Sequence, residues 1–380
     1  MTINPVWKTW GTRTLVVLLI ALVTYFATGK KVEPQIDAIP DEPIFGFGWV
    51  DDQEAVNKSL VSLEAKQGFR PYFAVCAANA MDERTDKAAV FLWLAEEKAL
   101  GKRLGSWNQK SLGTCTSFGG GRAVQDTLLQ QVVEGEAEWP GHEIATEPIY
   151  GGARIQIGSR LHGARWSGDG CVGAFVAEWL TTGGNLVRKQ YDEYDLTTYS
   201  DAQNSYSIVW GRKGVPATLL PECKKHIAKS AALVSTTDEL WAALGNGYAV
   251  FTCSNVGFDS PIRQGYCEPA GTWPHCMQYR ARFVHPTIGR SFVVQNSWKN
   301  YLELKVQDPK QFEIQYLDGN EVKTMRLPEG CFAIKESAAA RMLSARDSFA
   351  VSGVQGFPRR KLDWLINRDQ PRKDLVLNQR

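Results

Sequence analysis

Cys115 stands at the start of an apparently helical stretch, within NQKSLGTCTSFGGGRAVQ (residues 108–125). A cysteine attacks a carbonyl carbon as the thiolate, and a helix N-terminus and an adjacent imidazole are the two simplest ways to form one. A candidate imidazole comes from His275, at the beginning of the strand-like stretch HCMQYRARFVH, and Asn296 ends the next such stretch. If these strands are neighbours, the Asn296 carboxamide accepts the imidazole N–H and turns the other ring nitrogen toward the sulfur. The three residues therefore predict nucleophilic catalysis through a thioester.

The three residues resemble the papain-like cysteine peptidases in type and in chain order, Cys, then His, then Asn. Gln109 precedes Cys115 at the spacing that this family requires, and the family's Asn-Ser-Trp is intact as Asn296-Ser297-Trp298. The resemblance implies that the Gln109 side-chain amide and the Cys115 backbone N–H hold the oxyanion together. It also implies that Trp298 shields the hydrogen bond between Asn and His from water, and we expect Trp298 to line the substrate pocket as well.

Two further positions acquire a role through this resemblance. GDGCVGAFVAEWL is similar to the family's Gly-Cys-x-Gly-Gly segment, whose backbone pairs with the extended substrate, so Gly173 is expected to bind substrate. The residue before the histidine helps to shape the family's specificity pocket, and here it is Pro274. Since Pro274 has no charge, we expect an apolar or undiscriminating pocket.

The sequence also departs from the family's pattern. Thr116 replaces the Trp that follows the nucleophile, Ala174 replaces the second glycine of the substrate segment, and Leu112 replaces the cysteine that would bridge to Cys171. Three glycines, residues 119–121, follow inside the predicted helix, and each costs roughly 1 kcal/mol relative to alanine. We hypothesise that they let a strand or loop of the β half pack tightly on the helix.

The predicted elements place helices first and strands second, which indicates an α+β fold. Helices are predicted at about 51–67, 82–103, 115–133 and 236–246, and strand-like patterns dominate from residue 247 onward. The resemblance implies a papain-like two-lobed fold, in which a helical lobe is followed by an antiparallel β-barrel-like lobe and the active site lies in the cleft between them. We expect residues 106–357 to form this catalytic domain.

The N-terminal residues 1–31 are predicted to be a signal peptide or a single transmembrane anchor. TLVVLLIALVTYFATG (14–29) is uncharged and follows basic residues, and as a helix it is about 24 Å long, somewhat short of a bilayer core. Both interpretations stay open, and both place the catalytic portion outside the cytoplasm, anchored at the membrane or exported. Residues 32–105 are expected to form a linker and a helical extension, with a pro-region, a structural extension and a membrane spacer as alternatives.

The net charge and the spacing of the cysteines indicate which binding partners and metal ions to expect. The net charge of +2 gives no indication of nucleic-acid binding, and we expect the basic tail, residues 358–380, to be solvated. No cofactor is required by the predicted chemistry, and we expect no metal site. A zinc cluster of Cys253, Cys267, His275 and Cys276 lacks any Cys-x2-Cys pair, and a disulfide among the three cysteines is the stronger alternative.

The predicted function is a cysteine-type hydrolase, and specifically an endopeptidase, that cleaves peptide or amide bonds in a polypeptide substrate. The alternatives are a catalytically silent module of the same fold, used for binding or structure, and acyl transfer to an amine with the same residues. The sequence does not indicate the oligomeric state.

Overall fold

The computed structural model describes residues 47–72, 89–159, 169–259, 262–299, 306 and 308–358. All of them belong to one unit, which begins at Phe45. The predicted membrane or signal segment (14–29) and the basic tail beyond Pro358 lie outside the described residues. Within the described ranges, no helix combines the length and the apolar character needed to cross a membrane.

The described residues form the following helices: α1 Gln53–Gln67, α2 Leu94–Leu100, α3 Cys115–Val133, α4 Glu147–Gly151, α5 Gly173–Thr182, α6 Tyr206–Lys213, α7 Leu220–Cys223, α8 Thr237–Gly245 and α9 Glu336–Leu343. A π-helix, Gly152–Gly158, continues α4, and short 3₁₀ turns span Lys224–His226 and Pro309–Phe312.

The strands are β1 Val90–Phe91, β2 Gln190–Tyr191, β3 Tyr194–Asp195, β4 Ala228–Leu233, β5 Ala249–Phe258, β6 Pro269–His285, β7 Gly289–Gln295, β8 Glu313–Asp318, β9 Glu321–Arg326, β10 Cys331–Lys335 and β11 Ser348–Val354. The main sheet has the order β10-β7-β6-β5-β11-β4, β1 pairs with β6, and β2–β3 and β8–β9 form separate hairpins. Every strand pair is antiparallel. The α+β class predicted from the order of helices and strands is confirmed.

Helix α3 lies between the helices and the sheet, and its three glycines mark close contacts on different sides. A Cβ at position 119 would lie 2.7 Å from Cys276 Sγ on β6, so this glycine permits the close approach of a strand that we hypothesised. At position 120 the neighbour differs, because a Cβ there would lie 2.4 Å from Val176 Cγ1 on α5. The glycines therefore accommodate a strand on one side of α3 and a helix on another.

The predicted helix at 82–103 is partly wrong. Residues 73–88 lie outside the described ones, α2 covers only Leu94–Leu100, and Val90–Phe91 is a strand paired with Arg282 and Ala281 of β6. Phe91 is buried against an aromatic side chain of β6, Phe283, with ring centroids 6.3 Å apart. The gain from burying this apolar pair at the sheet outweighs helix propensity, which is a weak preference.

Four buried charged side chains fix β6 to α2 and α3. Arg280 of β6 donates to Asp126 Oδ2 at 2.9 Å and to Glu96 Oε1 at 2.6 Å, and Arg122 also donates to Glu96. Two acids balance two bases, which limits the cost of burying them. Since β6 also carries His275, this cluster helps to set the position of the strand on which the candidate imidazole stands.

Candidate active site

Cys115 is the first residue of α3, and its side chain is fully buried. The start of the helix is held by Thr114, whose carbonyl oxygen accepts a hydrogen bond of 2.8 Å from the Ser117 hydroxyl. A helix N-terminus favours a thiolate, but here burial dominates and raises the pKa of the Cys115 thiol well above its usual value. The backbone N–H groups of Cys276 and Gly48 lower this pKa by less. In this form of the molecule the thiol is therefore neutral.

His275 and Asn296 are brought together by the pairing of β6 with β7. His275 Nε2 lies 2.9 Å from Asn296 Oδ1, in a buried setting. The backbone N–H of Ser297 donates to the same oxygen at 2.7 Å, so the oxygen is an acceptor and Nε2 must carry the proton of the neutral ring. Among the described residues Nδ1 has no hydrogen-bond partner, and its lone pair is free to take a proton.

Burial also controls the ionisation of the imidazole. It lowers the pKa of His275 to about 4, against a smaller opposing effect from the hydrogen bond to Asn296. The Cys276 N–H that faces the Cys115 sulfur belongs to the residue after His275 on β6, so the strand that carries the imidazole also contacts the thiol. Both groups are neutral in this form, since an ion pair would be poorly solvated here.

Trp298 covers the hydrogen bond between the histidine and the asparagine. Its ring centroid lies 4.6 Å from that of His275, at an interplanar angle of 31°, and 4.9 Å from that of Trp273. With an exposed fraction of 3 %, Trp298 keeps water from this side of the imidazole. A shielded hydrogen bond is stronger than one in water, so the ring is held in one orientation.

Gln109 is buried and connected to the loop after β7. Its Oε1 accepts a hydrogen bond of 2.5 Å from the Ser297 hydroxyl, and its backbone N–H donates to the Ser297 carbonyl at 2.8 Å. The side-chain Nε2 donates to the Leu112 carbonyl at 2.9 Å. In this form, therefore, the Gln109 amide predicted to hold an oxyanion is engaged by the chain itself.

A short stretch that the sequence analysis assigned to the linker lies across this site. Residues 47–50, which we name the cover segment, run as an extended chain between Cys171 and Pro274. Cys171 N–H donates to Gly48 O at 2.7 Å, Val50 N–H donates to Cys171 O at 3.1 Å, and Trp49 N–H donates to Pro274 O at 3.1 Å. Among the residues expected to bind substrate, Pro274 thus contacts the cover segment through its carbonyl.

Gly173, which is also expected to bind substrate, begins α5 and faces a carboxyl group. Its N–H donates to Asp347 Oδ2 at 2.7 Å, and the indole N–H of Trp49 donates to the same oxygen at 2.7 Å. A Cβ at Gly173 would lie 2.8 Å from both carboxyl oxygens of Asp347, so only glycine leaves room for them. Burial raises the pKa of Asp347 to about 6, and the hydrogen bond from Trp49 lowers it by less.

At the opposite end of the cover segment, Phe47 packs edge-on against His275 and Trp298, with centroid distances of 6.3 and 5.7 Å. Gly48, which lies between Phe47 and Trp49 in the cover segment, is so close to Gly113 that a Cβ would approach the Gly113 carbonyl oxygen to 2.0 Å. The aromatic and glycine residues of FGFGW were the signal that sequence reasoning missed. Nothing in the sequence marked Asp347, which stands far from Trp49 along the chain.

The alternatives involving the other cysteines have no counterpart in the described residues. Cys253, Cys267 and Cys276 are free thiols there, and so are the remaining described cysteines. Within the same residues, no group of three or more His, Cys, Asp or Glu side chains is arranged to hold a metal ion.

The fold resembles solved structures of cysteine proteases at low sequence identity. Xylellain, a cysteine protease from Xylella fastidiosa, matches at 14% identity and a TM-score of 0.46, over 83% of this chain and 97% of its own. Procathepsin B S9 from Trypanosoma congolense matches at 10% identity and a TM-score of 0.44, over 82% and 87% of the two chains. The bromelain protease from Ananas comosus matches at 12% identity and a TM-score of 0.39, over 70% and 98%.

No protein-family model matches the sequence, and a search of curated proteins finds no match. The mixed helical and antiparallel architecture is consistent with the predicted two-lobed α+β fold. At these identities and TM-scores, the chemistry has to be inferred from the side chains of this chain.

Proposed function

We propose that the chain is a papain-like cysteine peptidase, in a form whose active site is closed by its own cover segment. Cys115 is the nucleophile, His275 the acid and base, and Asn296 the residue that orients the imidazole. The observation that supports this most is the arrangement of His275, whose Nε2 donates to Asn296 while the buried Nδ1 has no hydrogen-bond partner among the described residues and keeps its lone pair.

The proposed reaction begins when the cover segment leaves and water enters the cleft. Solvation then favours the ion pair, and the Cys115 proton moves to His275 Nδ1. The thiolate attacks the scissile carbonyl carbon, the bond to nitrogen breaks, and the imidazolium protonates the departing amine. Water, deprotonated by His275, hydrolyses the thioester and releases the acid and the free thiol.

The oxyanion of each tetrahedral intermediate needs hydrogen-bond donors. The Cys115 backbone N–H is available, because the first N–H groups of a helix have no partner within the helix. The Gln109 amide becomes the second donor once it exchanges the Leu112 carbonyl for the substrate oxygen. The bond from Ser297 to Gln109 Oε1 keeps the amide oriented meanwhile.

The direction of the cover segment explains why the chain need not cleave it. His275 protonates the departing amine, so the amine side of a substrate lies near the imidazole and the acyl side lies toward Asp347. The cover segment runs the other way, from Phe47 at His275 to Trp49 at Asp347. Its peptide bonds therefore face the nucleophile in reverse, and it occupies the cleft as an inhibitor.

Covalent labelling tests the proposal. An epoxide probe for cysteine peptidases should modify Cys115 in the wild-type chain, and modification should disappear in Cys115→Ala. Cys223→Ala is the matched control, because Cys223 is another buried free thiol and lies on α7, away from the site. If the folded protein stays unlabelled, even in a variant whose cover segment is displaced, the chain is a silent binding module instead.

We also propose, from residues 14–29, that the catalytic portion is exported or held at the outer face of a membrane. N-terminal sequencing of the mature protein tests this. A start after Gly29 supports a cleaved signal, and an intact Met1 in a membrane fraction supports an anchor. An intact N-terminus in soluble, cytoplasmic protein would contradict both.

A further inference from the structure

Three thiols lie within electrostatic reach of one another, although the proposed reaction uses only one of them. Cys253 of β5 and Cys276 of β6 are register partners in the main sheet, and both are 0 % exposed. The Cys115 thiol interacts electrostatically with both. Because thiols and disulfides exchange with one another, two further thiols beside a nucleophilic cysteine have chemical consequences of their own.

The backbone places Cys253 and Cys276 at a separation that a disulfide spans. The N–H of Cys253 donates to the Asp347 carbonyl at 3.3 Å, away from β6, so the two cysteines form a non-hydrogen-bonded pair of the antiparallel ladder. The Cα atoms of such a pair are about 4.5 Å apart, and a disulfide accepts Cα separations of about 4.4–6.8 Å. The strands therefore need little movement to be joined here.

The side chains of the pair are directed toward each other. Register partners point to the same face of a sheet, and the thiols of Cys253 and Cys276 form a side-chain hydrogen bond. The Cys276 sulfur lies 2.7 Å from the position of a Cβ at Gly119, which is one turn beyond Cys115, or about 6 Å along α3. Cys115 contacts Cys276 through the backbone N–H instead. Cys276 thus presents its side chain to Cys253 and its backbone to Cys115.

We propose that Cys253 and Cys276 are an oxidative modification site, at which a low-molecular-weight disulfide such as oxidised glutathione closes a cross-strand disulfide and leaves Cys115 as the free thiol. One of the two thiolates attacks a sulfur of the oxidant and releases the first glutathione thiolate. The other thiolate attacks the protein sulfur of this mixed disulfide and releases the second. Two protein thiols are oxidised, one glutathione disulfide is reduced, and the two protons go to the released thiolates.

The disulfide keeps the nucleophile available in the oxidising surroundings that the proposed export implies. Once Cys253 and Cys276 are joined, neither is left as a thiol that could attack an oxidised Cys115 and trap it. Both are free thiols in the closed form, where burial raises the pKa of Cys253 well above its usual value. Exchange needs the thiolate, so the pair reacts after the cover segment leaves. The pairing does not depend on the proposed hydrolysis.

Disulfide mapping tests the site without an activity assay. The folded full chain, as wild type and as Gly48→Ala to give the oxidant access, is equilibrated in a buffer of reduced and oxidised glutathione. It is then quenched in acid, alkylated with N-ethylmaleimide in denaturant and digested with trypsin. Cleavage after Arg263 separates Cys253 from the peptide that contains Cys267 and Cys276, and fragmentation distinguishes these two.

We expect a crosslink between Cys253 and Cys276, with Cys115 recovered as an alkylated thiol. The crosslink should form faster in Gly48→Ala than in wild type, and dithiothreitol should reverse it. Cys267→Ala is the matched control, because Cys267 is another buried free thiol but is not the register partner of Cys253. This variant should keep the crosslink, whereas Cys276→Ala should lose it.

The same chain in urea shows whether the fold selects the pair. In an unfolded chain, loop closure favours cysteines that are near in sequence, such as Cys267 and Cys276. A Cys253–Cys276 yield no higher in the folded chain than in urea, a crosslink that joins Cys276 to Cys115 instead, or two free thiols at equilibrium in both folded chains would overturn the inference. The proposed function is judged separately, by epoxide labelling of Cys115.

Discussion

Replacing Gly48 with alanine should open the closed site. In the structure a Cβ at this position would lie 2.0 Å from the Gly113 carbonyl oxygen and 2.2 Å from the carbonyl carbon. Ordinary contacts begin at 3.4 Å, so the backbones at Gly48 and Gly113 must separate by about 1.4 Å, the difference between 3.4 and 2.0. Both contacts are backbone atoms, and no flexible side chain can move to make room.

The size of the effect follows from the bonds that hold the cover segment. A displacement of this size breaks the hydrogen bonds that Cys171 and Pro274 make to Gly48 and Trp49, each contributing about 0.5–1.5 kcal/mol. Overpacking elsewhere in proteins typically costs about 1–3 kcal/mol. We therefore expect the closed form to lose about 2–4 kcal/mol, which raises the open population roughly 30-fold to 1000-fold, since 1.4 kcal/mol is tenfold.

The assay is the rate of covalent modification of Cys115 by an epoxide probe, followed by intact mass. Where opening limits the reaction, Gly48→Ala should be modified faster by a factor in this range. Gly105→Ala is the matched control, because a Cβ there would contact only the end of the Glu329 side chain, at 3.4 Å. It should react at the wild-type rate. If folded Gly48→Ala reacts no faster than wild type, the cover segment does not control access to the thiol.

Three further outcomes are expected. Gln109→Ala should lower kcat by about 10²–10³, the effect of one oxyanion donor, measured on a variant that carries the opening substitution. His275 has a folded pKa of about 4, below its ordinary 6.5, so the unfolded chain binds the extra proton and stability falls as the pH falls from about 6.5 to 4. Urea unfolding should show that wild type loses about 2–4 kcal/mol of unfolding free energy relative to His275→Gln over that window. The Asp347 carboxyl, whose pKa is raised from 3.8 to about 6, acts in the opposite sense. Compared with Asp347→Asn, wild type should lose stability as the pH rises from 3.8 to about 6. Arg280→Leu should cost about 3–5 kcal/mol because it leaves buried carboxylates underbalanced, while Arg290→Leu, at a partly exposed ion pair, should cost less than about 1 kcal/mol by the same measurement.

The residues with a strong local pattern were predictable from the sequence. Asn296 follows an apolar strand, β7, and His275 lies on the strand before it, so adjacency of the two strands was enough to predict their contact. The predicted start of that strand at His275 was wrong, because β6 begins at Pro269. The start of α3 at Cys115 was predicted from the helical run, although Thr114 makes no side-chain cap. These predictions depend on one or two neighbouring elements.

Features that depend on contacts distant in sequence could not be predicted. The Gly48 N–H that faces the Cys115 thiol belongs to the cover segment, which was expected to be part of a linker. Val90–Phe91 has helical surroundings in sequence, and only its partner strand, β6, determines its conformation. Likewise, Asp347 acquires its meaning from Trp49 and Gly173, and no local pattern connects the three.

Trapping the acyl intermediate tests whether Cys115 is the nucleophile. Gly48→Ala protein is mixed with an activated peptide ester, quenched in acid after milliseconds to seconds, and its mass is mapped by fragment. We expect a thioester on Cys115 that forms in a burst, decays as product appears, and is missing in Gly48→Ala combined with His275→Ala. Hydrolysis that proceeds with the acyl group on another residue, or with no acyl-enzyme at Cys115 under any quench time, would contradict it.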